Sequence, residues 1–113
     1  MDQYIVHNEV ATKPEFFAAT ALDKLKLRFI FQYVLWGGHY LRGGVVIDFV
    51  VYNPFPIPVE VFGNYWHTGQ FDSDDKMRMA RIEDHFKRKI VILWGSELET
   101  QEMADKTVRE KIG

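Results

Sequence analysis

Two carboxylates stand in adjacent apolar runs: Asp48 within "VVIDFVVY" and Glu60 within "VEVF". Burying an ionised carboxylate without a partner is costly, so an acid in each of two neighbouring strand-like segments calls for a chemical reason. Strand periodicity puts Val46, Asp48 and Val50 on one face and Ile47, Phe49 and Val51 on the other. Glu60 stands between Val59 and Val61. If the two strands are neighbours, the acids converge. Converging carboxylates in a low dielectric repel, and one takes up a proton. A divalent cation removes that repulsion. Hard oxygen donors on adjacent strands suit Mg²⁺ (or Mn²⁺), which keeps several waters and accepts one or two protein carboxylates. Such an ion orients a phosphodiester and lowers the pKa of an attacking water. The plain alternative is that both acids face solvent or pair with an arginine such as Arg42.

The flanking residues add to the chemistry. Gly63 follows "EVF" and lets the backbone turn beside Glu60. "NYWH" then brings Trp66 and His67 to the strand exit. A histidine there can protonate a leaving oxygen or help activate a water, or can simply pack. Tyr65 and Trp66 can stack on bases or cap the core.

Elements must position these groups. Residues 1–12 read as an irregular or β-like arm. "KPEFFAATALDKLK" reads as a helix, with Thr12 as cap, Pro14 in the first turn and Glu15 at the positive end of the dipole. Phe17, Ala18, Ala21, Leu22 and Leu25 make its apolar stripe. "RFIFQYVL" is a strand, "WGGHYLRGG" a turn-rich connection and "VVIDFVVY" a second strand. "NPFPIP" is expected to be a connection, because prolines do not fit a central strand. "VEVF" is a third strand. "SDDKMRMARIEDHFKR" is a helix with Met79, Ile82 and Phe86 inward. "IVILW", apolar throughout, reads as a strand buried on both faces. "ETQEMADKTVREKI" closes the chain as a helix with Ala104, Val108 and Ile112 in line. The order is α-β-β-β-α-β-α, a mixed α/β domain.

Taken together, "GGVVIDFVVYNPFPIPVEVFGNYWH" resembles the central motif of the PD-(D/E)XK, or restriction-endonuclease-like, superfamily. The branch it resembles most is the small nucleases related to very-short-patch mismatch-repair endonucleases. There, a helix with an early acid precedes a strand containing "F..Q"; here these are Glu15 and "FIFQY" with Gln32. A strand with "xxDF", a strand reading roughly "EVxGxYWH", a "D..K/R" helix and a strand near "VxxxW..EL" follow. Here they are Asp48, Glu60 to His67, Asp75 to Arg78, and "IVILWGSEL". The resemblance covers about residues 12 to 98.

The resemblance implies a Mg²⁺- or Mn²⁺-dependent DNA endonuclease or nickase. By matching positions, Asp48 and Glu60 would be metal ligands and Glu15 an auxiliary ligand or orienting group. Gln32 would lie near the site, and His67 would be general acid or base. The superfamily's usual lysine falls at Phe62, so Lys76 becomes the candidate replacement. His39 and Arg42, in the glycine-rich loop 36–44, with Trp66 and Arg78, would contact DNA. The fold implied is a single restriction-endonuclease-like domain over residues 1–113, its sheet of about four strands flanked by helices, with 99–113 as the C-terminal helix.

Composition bounds these readings. The chain has 113 residues, enough for one domain, and 47% are hydrophobic, enough for a core. Cysteine is absent, which excludes disulfides and thiolate metal sites. No basic segment followed by a long apolar run opens the sequence, and no stretch approaches the roughly 20 apolar residues of a membrane span. A cytoplasmic protein is expected, in a bacterial or phage-infected cell. The net charge of −2 is not that of a strongly basic nucleic-acid binder, although Lys76, Arg78, Arg81, Lys87, Arg88 and Lys89 load one helix. With so short a chain, the expectation is that it either forms a homodimer, nicks one strand, recognises DNA shape or works inside a larger DNA-processing assembly. Two other readings stay open: an inactive nucleic-acid-binding module on the same fold, and a structural domain with surface acids.

Overall fold

The first helix begins where a reciprocal cap can form. Thr12 donates its N–H to Glu15 Oε1 (2.8 Å), and Glu15 N–H donates to Thr12 Oγ1 (3.3 Å). This capping box satisfies two otherwise unpaired N–H groups and starts α1 (Lys13–Lys24). The computed structural model describes residues 3–63 and 73–113. Before α1, the arm is a hairpin of β1 (Tyr4–Val6) and β2 (Glu9–Ala11). His7 and Asn8 take φ of 47° and 68° between them, the left-handed pair that a two-residue hairpin turn requires.

The main sheet holds β3 (Arg28–Leu35), β4 (Val45–Tyr52), β5 (Pro56–Phe62) and β6 (Val91–Trp94), in that spatial order. β3–β4 and β4–β5 pair antiparallel, while β5–β6 pair parallel. A parallel pair needs a crossover, and the chain between β5 and β6 carries α2 (Ser73–Phe86). A final helix, α3 (Gln101–Lys111), packs beside α1, where Lys24 Nζ meets Asp105 Oδ2 at 2.7 Å and Gln101 Nε2 donates to Phe17 O at 2.9 Å.

Two cores result. On one face, Phe29, Phe31, Phe49, Val51, Ile57, Val59 and Leu93 pack with Ala18 and Leu22 of α1 and Ala104 and Val108 of α3. On the other, Leu35, Val45, Ile47 and Val50 pack with Met79, Ile82 and Phe86 of α2. The protein is therefore a single α/β domain with a mixed four-stranded sheet between helices, plus a small two-stranded sheet.

Three sequence expectations need correction. The simple two-face alternation fails in β4: Phe49 and Val51 point to the first core, Val45 and Ile47 to the second. β3 changes face at the same level, between Phe31 and Tyr33. The residue between them is Gln32, held at φ 55°, a left-handed conformation that re-aims the strand. Prolines do enter a central strand: Pro56 and Pro58 belong to β5. They are tolerated because the β5–β6 ladder begins only at Val59, so neither removes a bond from it. Finally, β6 is an edge strand and mostly half-buried rather than enclosed on both faces.

Candidate functional site

The β4–β5 ladder runs from Tyr52↔Pro56 to Phe49↔Val59 and stops one residue short of Asp48 and Glu60. Side chains then take over from the rungs. Val61 N–H donates to Asp48 Oδ2 (2.8 Å), and Asp48 N–H donates to Glu60 Oε2 (3.3 Å). Each carboxylate is drawn across to the other strand, so the two acids converge as their spacing suggests. The register explains why Asp48 is free to do this. It falls between Phe49 and Ile47, opposite Gln32, at the level where both β3 and β4 change face.

Glu60 is 2% exposed and is the only buried charged residue among those described. Its counter-charge is Arg78 of α2, whose Nη2 lies 2.6 Å from Glu60 Oε1 and also donates to Val46 O at 2.9 Å. The contact is an ion pair without hydrogen-bond alignment, so Oε1 is compensated in charge while accepting no directed N–H. Asp48 titrates far above an ordinary carboxyl, raised from 3.8 to about 7. Burial is the main cause, followed by the negative charge of Glu60 and a hydrogen bond to its side chain; Val61 N–H and Arg78 pull the other way. Up to about neutral pH the pair therefore still holds a proton in a large share of molecules.

The other expected site residues lie as follows. Gln32 is exposed on β3, across from Asp48. Lys76 is exposed in the first turn of α2. His39 and Arg42 are exposed in the β3–β4 loop, and Arg42 is not the partner of either acid in the contacts described; that role belongs to Arg78. The expected DNA contact Arg78 is thus turned inward, its guanidinium held by Glu60 and Val46. Glu15 approaches the end of β5 from the α1 side, lining a cavity of about 220 Å³ with Val61, Phe62 and Gly63. Its Oε1 is held by Thr12 N–H, and among the described residues no three His, Cys, Asp or Glu side chains gather to hold a metal. Glu15, expected as an auxiliary ligand or orienting group, here serves the capping box of α1. Trp66 and His67 lie outside the described residues. Phe62, at the superfamily's lysine position, packs against Trp94 with ring centroids 5.9 Å apart.

The inward placement of Arg78 has a signal in the sequence. The residue stands four residues before Ile82, so helical periodicity puts it on the same face of α2 as that fully buried side chain. A cation on the core face of a helix implies a buried anion beneath it. No family model, characterised protein or solved structure matches the chain.

The donor set fits a hard divalent cation in type and number. Two carboxylates share one spot at the end of a strand pair, one of them nearly sealed from water, and the second retains its proton abnormally well. Mg²⁺ needs no more than one or two protein carboxylates, its remaining positions being filled by water and substrate.

Proposed function

We propose that the protein is a Mg²⁺- or Mn²⁺-dependent DNA endonuclease or nickase of the restriction-endonuclease-like type. The observation that carries this reading is the convergence of Asp48 and Glu60 at the point where β4 and β5 stop pairing. It joins the motif order of the sequence to a pair of hard oxygen donors at the end of a strand pair. Asp48 and Glu60 would hold the ion, which when bound polarises a phosphate oxygen and makes an attacking water acidic.

The chain's own residues supply the rest. Val61 N–H fixes the Asp48 carboxylate, and Asp48 N–H fixes that of Glu60, so both donors are oriented before substrate arrives. The packed strands keep bulk water from Glu60. Lys76, exposed on α2, and His67 are the groups suited to moving a proton or stabilising phosphate charge, since Phe62 can do neither. His39 and Arg42, exposed in one loop, suit contacts to the phosphate backbone. The reading implies a cytoplasmic protein working on DNA, alone, as a homodimer or in a larger assembly.

The test is nicking of supercoiled plasmid at pH 8. Cleavage is expected with Mg²⁺ or Mn²⁺, absent with chelator, and lost in Asp48→Ala. A second reading, an inactive DNA-binding module, draws on Arg78 already neutralising Glu60 and on Phe62 at the lysine position. It predicts a DNA mobility shift without cleavage that survives Asp48→Ala.

A further inference from the structure

Arg78 sits where a divalent cation would act. Its Nη2 touches Glu60 Oε1 at 2.6 Å and donates to Val46 O at 2.9 Å, so it spans β4 and β5 just beyond the end of their ladder. Glu60's side chain is 3% exposed, and Oε1 receives no aligned hydrogen bond there. The pair is held by charge rather than by directed bonding. The Arg78 side chain as a whole is 32% exposed, so it reaches solvent as that of Glu60 does not.

We propose that Arg78 is a tethered counter-ion that occupies the Asp48–Glu60 carboxylates until a divalent cation displaces it. The proposal rests on the reading of those carboxylates as a metal site. A monovalent guanidinium and a divalent ion repel at such range, and both draw on the charge of Glu60. The two therefore compete for one position, and metal affinity is lowered by whatever Arg78 contributes. Linkage makes the effect reciprocal: bound metal weakens the hold of Glu60 on Arg78. Once released, a planar guanidinium beside the site is suited to bidentate capture of a phosphate. Arg78 is thus a positioning residue with two stations, one on the protein's own acid and one on the substrate.

The experiment is calorimetric titration of Mn²⁺ into the wild type, Arg78→Gln, Arg78→Lys and Asp48→Asn at pH 8, with plasmid nicking alongside. Arg78→Gln is expected to bind Mn²⁺ at least tenfold more tightly than the wild type, Arg78→Lys in between, and Asp48→Asn hardly at all. Because Arg78→Gln leaves a buried acid unpaired and can unfold, a wild-type arm accompanies it. The Arg78 side-chain NMR signals, hindered in chelator, are expected to gain free rotation when Mg²⁺ saturates the site. Equal or weaker Mn²⁺ binding in Arg78→Gln, or Arg78 signals unmoved by saturating Mg²⁺, overturns the proposal while leaving the metal site intact. No binding to any form overturns both. Tighter binding in Arg78→Gln with no cleavage by the wild type supports the counter-ion and sinks the nuclease.

Discussion

Replacing Asp48 with asparagine separates its electrostatics from its shape. The amide oxygen still accepts Val61 N–H, and the amide nitrogen gains a donor toward Glu60. What disappears is a carboxyl that prefers to stay protonated. Its pKa is 3.8 unfolded and about 7 folded. The folded state therefore binds more protons than the unfolded state between those values, and stability falls as pH rises through that window. Three units at 1.36 kcal/mol each set the loss at about 4 kcal/mol, with a steepest slope of about 1.4 kcal/mol per pH unit. The assay is urea unfolding of both proteins in chelator from pH 4 to pH 8. The two should be closest in stability at pH 4, and Asp48→Asn should gain on the wild type by up to about 4 kcal/mol by pH 8. A stability difference that does not change with pH would refute the reasoning. It would mean that Asp48 ionises freely in the fold, with neither burial nor Glu60 acting on it. Saturating Mg²⁺ should recover stability for the wild type alone, about 2.7 kcal/mol when the ion is at a hundred times its Kd.

Other perturbations probe the neighbouring links. Arg78→Ala strips the buried Glu60 of its counter-charge and should cost about 3–5 kcal/mol by urea unfolding, lessened by added Mn²⁺. Glu15→Gln keeps the capping-box geometry and should leave both stability and plasmid nicking within error, whereas Thr12→Ala removes the cap and should cost about 1 kcal/mol. A marked loss of nicking in Glu15→Gln would restore Glu15 to the site. Phe49→Ala opens a hole beneath Phe29 and Phe31 in a fully buried position and should cost about 3–5 kcal/mol, read as a drop in thermal midpoint.

Much of this architecture was legible in the linear chain because its signals are local. "RFIFQYVL" and "VVIDFVVY" are β3 and β4 to the residue, since β-branched and aromatic runs set off by turn-rich Gly and Pro segments favour strands. Thr12, Pro14 and Glu15 marked the start of α1, because capping is settled within four residues. Ala104, Val108 and Ile112 fell on the buried face of α3 from periodicity alone. Even the meeting of Asp48 and Glu60 followed from two short strands joined by a tight, proline-rich turn.

Tertiary structure alone decided what depends on neighbours distant in sequence. Pro58 could enter a central strand only because β6 joins the sheet one residue later. Ile47 and Phe49 went to different cores at the level where Gln32, on the neighbouring strand, adopts a left-handed conformation. Glu15 closes the cap of its own helix through Thr12. Arg78, rather than Arg42, which stands equally far from Glu60 in sequence, neutralises that acid, because the crossover lays α2 over the ends of β4 and β5. Residue spacing sets which side chains can share a face. Which charge finally faces which is fixed by packing, since a buried carboxylate takes whatever cation the folded chain brings within reach.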